Sequence, residues 1–344
     1  MHQFRWLSKL ATALSLGLCA LPEAYAQTAQ SPTLASIVSR GTLNCGVYPN
    51  FPGFETLDRD GNYVGFDVDF CKAVAAAANV QLKVVPLTAT ERFPALVGKS
   101  VDMLAMVTTR TASRDFGNGL QFAPVTFYDG QGFVTRTKNK VKSAKELSGA
   151  TICVLQGTTS ELNLADWFRA NNLKLNAVTF ASEDELLRAY EANRCDAFTG
   201  GIAIIAGRRT NFRDAAEHII LPEVISKEPL APVTAEGDEK WSKIVAWTIF
   251  AIMIAEEKDV TAANVEQTAK DSPDPELRRL FGKSGSIARD MGMDPDWATR
   301  AIKAAGNYRE IFERNLGVKT PLRLERGLNA QWDKGGLIYA PPFR

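Results

Sequence analysis

One pattern, laid down twice along the chain, limits its fold more than any other feature. From Thr42 onward, short apolar runs alternate with stretches whose apolar residues recur at helical spacing. Leu43 to Val47 and Tyr63 to Phe66 read as strands, Asp67 to Ala78 as an amphipathic helix, Gln81 to Leu87 as a strand, Ala89 to Gly98 as a helix and Val101 to Met106 as a strand. Such alternation predicts βαβ units, in which parallel strands are joined by helices that cover both faces of the sheet. After Gly130-Gln131-Gly132 and the polar run Arg136 to Ser143 the plan starts again. Thr151 to Leu155, Ala177 to Phe180 and Asp196 to Thr199 are its strands; Ser160 to Asn171 and Asp184 to Asn193 are its helices.

Two copies of one plan predict an α/β chain of two lobes, each built on a mixed, mainly parallel sheet. Ligands of open α/β sheets bind outside the carboxyl ends of the strands, so both lobes would turn those ends to a shared cleft. The expected bounds are 33–132 for the first part of lobe one, 133–228 for lobe two, 229–260 for a return to lobe one, and 261–344 for a C-terminal helical extension. The extended, proline-bearing stretch Ile219 to Thr234 reads as the crossing back, and Glu239 to Glu257 as a long helix. The extension is polar, and nothing in its composition points to chemistry.

A length of 344 residues with 45% hydrophobic content suffices for two such lobes. The net charge of +1 leaves no polybasic excess of the kind nucleic-acid binding needs. At the N-terminus, Arg5 and Lys9 precede an apolar stretch from Leu10 to Leu21 and then Ala24-Tyr25-Ala26. This is the order of a secretory signal, with cleavage expected after residue 26. The apolar stretch is shorter than the roughly 20 residues of a spanning helix. Leu18, directly before Cys19, is too large for a lipoprotein signal. Ile244 to Ala255, interrupted by Trp247 and Thr248, reads as a buried helix.

Export leaves Cys45, Cys71, Cys153 and Cys195 in a compartment that permits disulfides. Their spacing is not that of a zinc site. Four cysteines allow three pairings, spacing does not choose among them, and four free thiols remain an alternative. The two-lobe layout favours Cys45 with Cys71 and Cys153 with Cys195, one pair within each lobe.

The strand Val101 to Met106 runs into Thr108, Thr109, Arg110, Thr111 and Arg114. Arginine presents a planar fork that matches a carboxylate, and hydroxyls supply further donors. In the second lobe, Thr151 to Leu155 runs into Gln156-Gly157-Thr158-Thr159-Ser160-Glu161 and a helix, whose first N–H groups and dipole favour an anion. Each lobe therefore offers carboxylate donors to one cleft. The plain alternatives are an Arg114–Asp115 surface pair and an ordinary helix cap.

Several longer motifs point the same way. They are Gly61-Asn62-Tyr63-Val64-Gly65-Phe66-Asp67-Val68-Asp69-Phe70-Cys71, Glu91-Arg92-Phe93-Pro94-Ala95-Leu96, Tyr128-Asp129-Gly130-Gln131-Gly132-Phe133, the run from Gln156 to Asp166, Leu221 to Leu230, and Gly335 to Pro342. On these the chain resembles the polar-amino-acid family of bacterial periplasmic solute-binding proteins, and within it the general L-amino-acid-binding subgroup that feeds ABC importers. The resemblance implies two lobes joined by two crossings, a periplasmic location, an inner-membrane permease as partner and no cofactor. It implies that Arg114 and Thr109 hold a ligand carboxylate from lobe one, that Thr158 and Thr159 close on it from lobe two, and that Phe51 packs on the ligand body; Thr108, Arg110, Tyr48 and Gly201 are expected beside them.

The chain also departs from the family. Where the family places an aspartate for the ligand ammonium, this sequence has Gly201, and Val107 and Arg110 replace polar and aromatic residues beside the threonines. A buried ammonium without a partner is expensive. The departures therefore raise a second expectation, a dicarboxylate or an amino-acid derivative without a free ammonium. Some relatives on this fold, such as cyclohexadienyl dehydratases, are enzymes. Here the mature chain has a single histidine, His218, and no Ser/His/Asp, Cys/His or metal-ligand spacing. Glu55 is the one acidic residue expected near the cleft mouth. The expectation is a binding protein, not an enzyme. A sensor presenting the liganded form to a membrane receptor would share the same binding event.

Overall fold

The structure, a computed structural model, describes residues 30–117 and 119–344. The expected signal segment 1–26, with Cys19, lies outside the described residues. Two five-stranded sheets carry the fold. The first has the neighbour order Gln81–Pro86, Thr42–Val47, Met103–Leu104, Val233–Ala235, Leu120–Phe122. Its first three strands are parallel, and the other two join antiparallel. The second repeats the arrangement with Asn176–Phe180, Thr151–Leu155, Ala197–Gly201, Gln131–Arg136 and His218–Ile220. Again the first three strands pair in parallel and the other two join by antiparallel pairing. Between the sheets the chain passes twice through a two-stranded antiparallel ribbon, Phe127–Asp129 against Glu228–Leu230, in which Asp129 faces Glu228.

Several expected elements are shorter than their apolar patterns. Tyr63–Val64 pairs with Thr56–Leu57 in a small hairpin outside the main sheet, and Phe66 already begins the helix Phe66–Ala77. Gly65 makes that turn at φ 140°, with its Cα so close to the Phe54 carbonyl that a Cβ would meet it at 2.1 Å. The helix expected over Ala89 to Gly98 forms at Arg92–Val97. The strand expected over Val101 to Met106 is regular only at Met103–Leu104, because Val107 turns the backbone to φ 40°. That is a strained value for a β-branched residue. Asp67 holds it there by accepting the Val107 N–H at 2.7 Å.

The crossing expected over Ile219 to Thr234 divides among three partners: His218–Ile220 in the second sheet, Glu228–Leu230 in the ribbon and Val233–Ala235 in the first sheet. The helix Glu239–Glu257 follows, capped by Asp238, which accepts from the Trp241 N–H at 2.9 Å. Cys45 is bonded to Cys71 and Cys153 to Cys195, tying strand to helix in one lobe and strand to strand approach in the other.

The polar composition of the extension hides its buried faces. The helix Trp297–Ala305 puts Trp297, Ala301 and Ile302 into the core, and Arg300 donates to the last carbonyls of the helix Phe66–Ala77, at Ala76 and Ala77. Two side chains of the extension hydrogen-bond to backbone at the ribbon. The Tyr308 hydroxyl donates to the Thr126 carbonyl at 2.7 Å. Asn329 accepts from the Tyr128 N–H at 2.6 Å and donates to the Tyr128 carbonyl at 3.1 Å. Asn329→Ala removes both of these bonds, so stability should fall by about 1–2 kcal/mol, to be read from the urea midpoint at unchanged slope.

Candidate functional site

Between the two sheets lies a cavity of about 640 Å³, counting its open mouth. Lobe one contributes Tyr48, Phe51, Arg92, Val107, Thr109 and Arg114; lobe two contributes Leu155, Thr158, Thr159, Ser160, Glu183 and Thr199 to Gly201; the ribbon contributes Asp129, Glu228 and Leu230. The break at Val107 swings the chain after the third strand into the cavity, so Thr109 and Arg114 line it.

Arg114 is buried. Its guanidinium donates to the Thr109 carbonyl at 2.7 Å and lies over the Phe93 ring. Beside it is Arg92, which donates to the Tyr48 hydroxyl and, across the cleft, to the Gly157 carbonyl at 3.3 Å. Among the described residues neither guanidinium has a carboxylate at ion-pair distance; the acid that follows Arg114 in sequence, Asp115, pairs with Arg110 instead. Burial, together with the charge of Arg92, lowers the Arg114 pKa to about 10. This part of the cavity holds excess positive charge that an anion would relieve.

Facing it is the N-terminus of the helix Thr159–Ala170. Its first N–H groups have no intrahelical acceptors and carry the positive end of the helix dipole. The hydroxyls nearby are committed elsewhere. Thr158 donates to the Leu155 carbonyl at 2.7 Å, while Thr109 and Thr159 both donate to Glu228, the latter at 2.8 Å. Glu228 also accepts from Asn163 at 2.7 Å and Ser226 at 2.6 Å. One ribbon carboxylate thus joins Thr109 of lobe one to Thr159 and Asn163 of lobe two. The donors that remain for an anion include guanidinium N–H groups, the helix N–H groups and the Ser160 hydroxyl.

The residues singled out in the sequence divide clearly. Arg114, Thr109, Thr158, Thr159, Tyr48, Phe51 and Gly201 all line the cavity. Tyr48 and Phe51 stack with centroids 4.2 Å apart. Thr108 and Arg110 do not line it. The Thr108 hydroxyl donates back to the Met106 carbonyl, and Arg110 is an exposed arginine whose Nε lies 2.8 Å from Asp115. Glu55 is not at the cleft mouth either. It is fully buried beside Asp67, and burial with that neighbouring carboxylate pushes its carboxyl well above the usual range.

Five further residues escaped the sequence reading: Arg92, Asp129, Glu183, Arg208 and Glu228. Arg208 is buried on lobe two, with its Nε 3.3 Å from Glu183. It donates to the Asn50 carbonyl of lobe one, and its guanidinium lies over Phe51. Arg92, Asp129 and Glu228 each sit inside a motif already quoted, and a charged residue within such a motif was the available signal.

Two lobes on a two-strand hinge, with anion donors converging from both sides, define a protein that clasps a small solute by hinge closure, as periplasmic binding proteins do. The chain belongs to the bacterial extracellular solute-binding proteins, family 3, whose family model matches residues 43–263. It is 49% identical over 324 residues to the general L-amino acid-binding periplasmic protein AapJ of Rhizobium johnstonii, covering 93% of this chain and 95% of the relative. It is 48% identical over 331 residues to the glutamate/glutamine/aspartate/asparagine-binding protein BztA of Rhodobacter capsulatus, covering 95% and 98%. Among solved structures, a periplasmic binding protein from Brucella ovis with glutathione bound superposes with a TM-score of 0.87 at 46% identity, covering 92% of this chain and all of that one.

Proposed function

We propose that this chain is the periplasmic substrate-binding component of an amino-acid ABC importer, exported by its N-terminal segment, and that it delivers an amino-acid-like solute to an inner-membrane permease. The carrying observation is the buried guanidinium of Arg114, without a carboxylate partner among the described residues, in one cavity with the N-terminus of the helix Thr159–Ala170. A ligand α-carboxylate between them interacts with both lobes at once and so favours the closed arrangement over any open one. That difference in affinity drives a hinge equilibrium.

The names of the relatives support L-amino acids as the solute class. The Brucella ovis structure adds a peptide with an amino-acid head. A second groove continues the cavity past Tyr48, Phe51 and Leu155 towards Ala181 to Asp184, giving room for a longer solute. We read the chain as a binder and not an enzyme, in line with the binding proteins it resembles.

A thermal-shift screen of residues 27–344 against L-amino acids, glutathione, dicarboxylates and keto acids tests this reading. A ligand at 100 times its dissociation constant adds ~2.7 kcal/mol to stability. Clear shifts with one or more amino acids or glutathione are expected. No shift with any of them overturns the proposal.

A further inference from the structure

Gly201 stands where the resembled family carries the carboxylate for a ligand ammonium, and the structure brings the Asp129 carboxylate up against that position. A Cβ at Gly201 would lie 2.6 Å from Oδ2 of Asp129. The two positions converge because Gly201 pairs with Gln131 at the end of the second sheet, and Asp129 precedes Gln131 by two residues on the hinge crossing. Resting on the reading of this cavity as an amino-acid site, we propose that Asp129 is the acceptor for the ligand ammonium, a carboxylate on the hinge in place of one at the end of a lobe-two strand.

Two observations select Asp129 over its neighbour Glu228. Glu228 already receives four hydroxyl and amide donors, two on each oxygen. Asp129 receives the Ala203 N–H, shared between its oxygens at 3.3 Å each, and no cationic side chain pairs with it among the described residues. It also lines the cavity with Arg114. An α-amino acid carries its amine and carboxylate on one carbon, so both must be met within one small space. A cation at Asp129 further offsets the repulsion between two carboxylates that face each other across the ribbon.

Burial and Glu228 raise the Asp129 pKa to about 7. Glu228 is the charged group on the paired strand, and the first turn of the helix Ile202–Thr210 carries no acidic residue. Arg92 and Arg114 from lobe one and Glu183 from lobe two line the same cavity. Below about pH 7 the Asp129 carboxyl takes up a proton that an incoming ammonium must displace. Affinity for amines should therefore fall as pH drops from 8 to 5.5.

The test is calorimetric titration of wild type, Asp129→Asn, Gly201→Asp and the double variant Asp129→Gly/Gly201→Asp. The probes are L-glutamate, L-glutamine and glutathione, with glutarate and glutaramate as analogues of the first two without the amine. Asp129→Asn, which keeps shape and loses charge, should weaken the amine-bearing ligands about 30-fold or more, change the analogues less than about 3-fold, and abolish the pH dependence. Gly201→Asp should lose binding, and the double variant should recover it to within about 10-fold of wild type. Wild type that binds amino acids with Asp129→Asn equal to it overturns this proposal and leaves the amino-acid reading standing. Wild type that binds neither the amine-bearing probes nor any L-amino acid of the thermal-shift screen overturns both.

Discussion

Arg114→Ala will bind every carboxylate ligand of the wild-type chain about 100-fold more weakly or worse, a loss of the size seen when one member of a buried charge pair is truncated. The same variant, without ligand, will unfold no earlier than wild type. Both expectations have one origin. Arg114 is buried, donates to the Thr109 carbonyl and has no carboxylate at ion-pair distance among the described residues, so its removal breaks no ion pair. It also removes the repulsion from Arg92 that helps lower its pKa. What is lost is a charge-assisted fork that only an anion uses in full. Calorimetric titration and urea denaturation of the same sample read the two effects. Arg110→Ala, exposed and paired with Asp115, serves as the control and should change affinity less than about 3-fold. Unchanged affinity in Arg114→Ala refutes the site; a strongly lowered unfolding midpoint gives the residue a structural role instead.

The second large effect is on stability. Removing the Cys153–Cys195 bond, which closes a separation of 42 residues, as Cys153→Ala/Cys195→Ala should cost roughly 4 kcal/mol. The Cys45–Cys71 bond spans 26 residues and should contribute about 3.5 kcal/mol by the same loop-closure argument, which depends only weakly on length. Against a typical stability of about 5–15 kcal/mol, losing both leaves little margin. Urea denaturation of the two double-alanine variants measures the losses, and values under about 1 kcal/mol would show that the reduced chain is already constrained by other contacts. The chain should accordingly reach full stability only in an oxidising compartment.

The repeat of two α/β plans was legible because buried parallel strands must be short apolar runs and their crossover helices must be amphipathic, and both lobes keep those signatures. Strand limits were not, because Val107 and Gly65 turn the backbone for reasons that lie in Asp67 and Phe54, far from them in sequence or visible only as a carbonyl in close approach. The anion donors at Arg114 and the helix N-terminus could be read because each is a local motif at the end of its own strand. Asp129 could not be paired with Gly201 in the sequence, since the two lie on different strands and meet only through the register of the second sheet. Reading Gly201 alone as a lost carboxylate pointed towards ligands without an amine. The structure places the Asp129 carboxylate beside Gly201, and the proposal that it takes the ligand amine rests on that contact. The polar extension was misleading in the same way, because its apolar faces become visible only against the helix Phe66–Ala77.

Asn329 grips both backbone groups of Tyr128, and Tyr308 holds the carbonyl of Thr126, so the first hinge strand is fastened to the extension on the lobe-one side up to its second residue. Rotation of one lobe against the other must then be taken up just beyond the grip, at Asp129 and Gly130. A point on the axis of a door scarcely travels while its outer edge sweeps the full arc. On such an axis Asp129 would scarcely move as the lobes part, whereas the Arg208–Asn50 hydrogen bond, which joins the two lobes, would have to break. Leverage would then set the order of capture, with the group at the axis met before the latch that joins the lobes. Cutting the chain at residue 263, where the family model ends, would take away the two fastenings and with them the fixed axis.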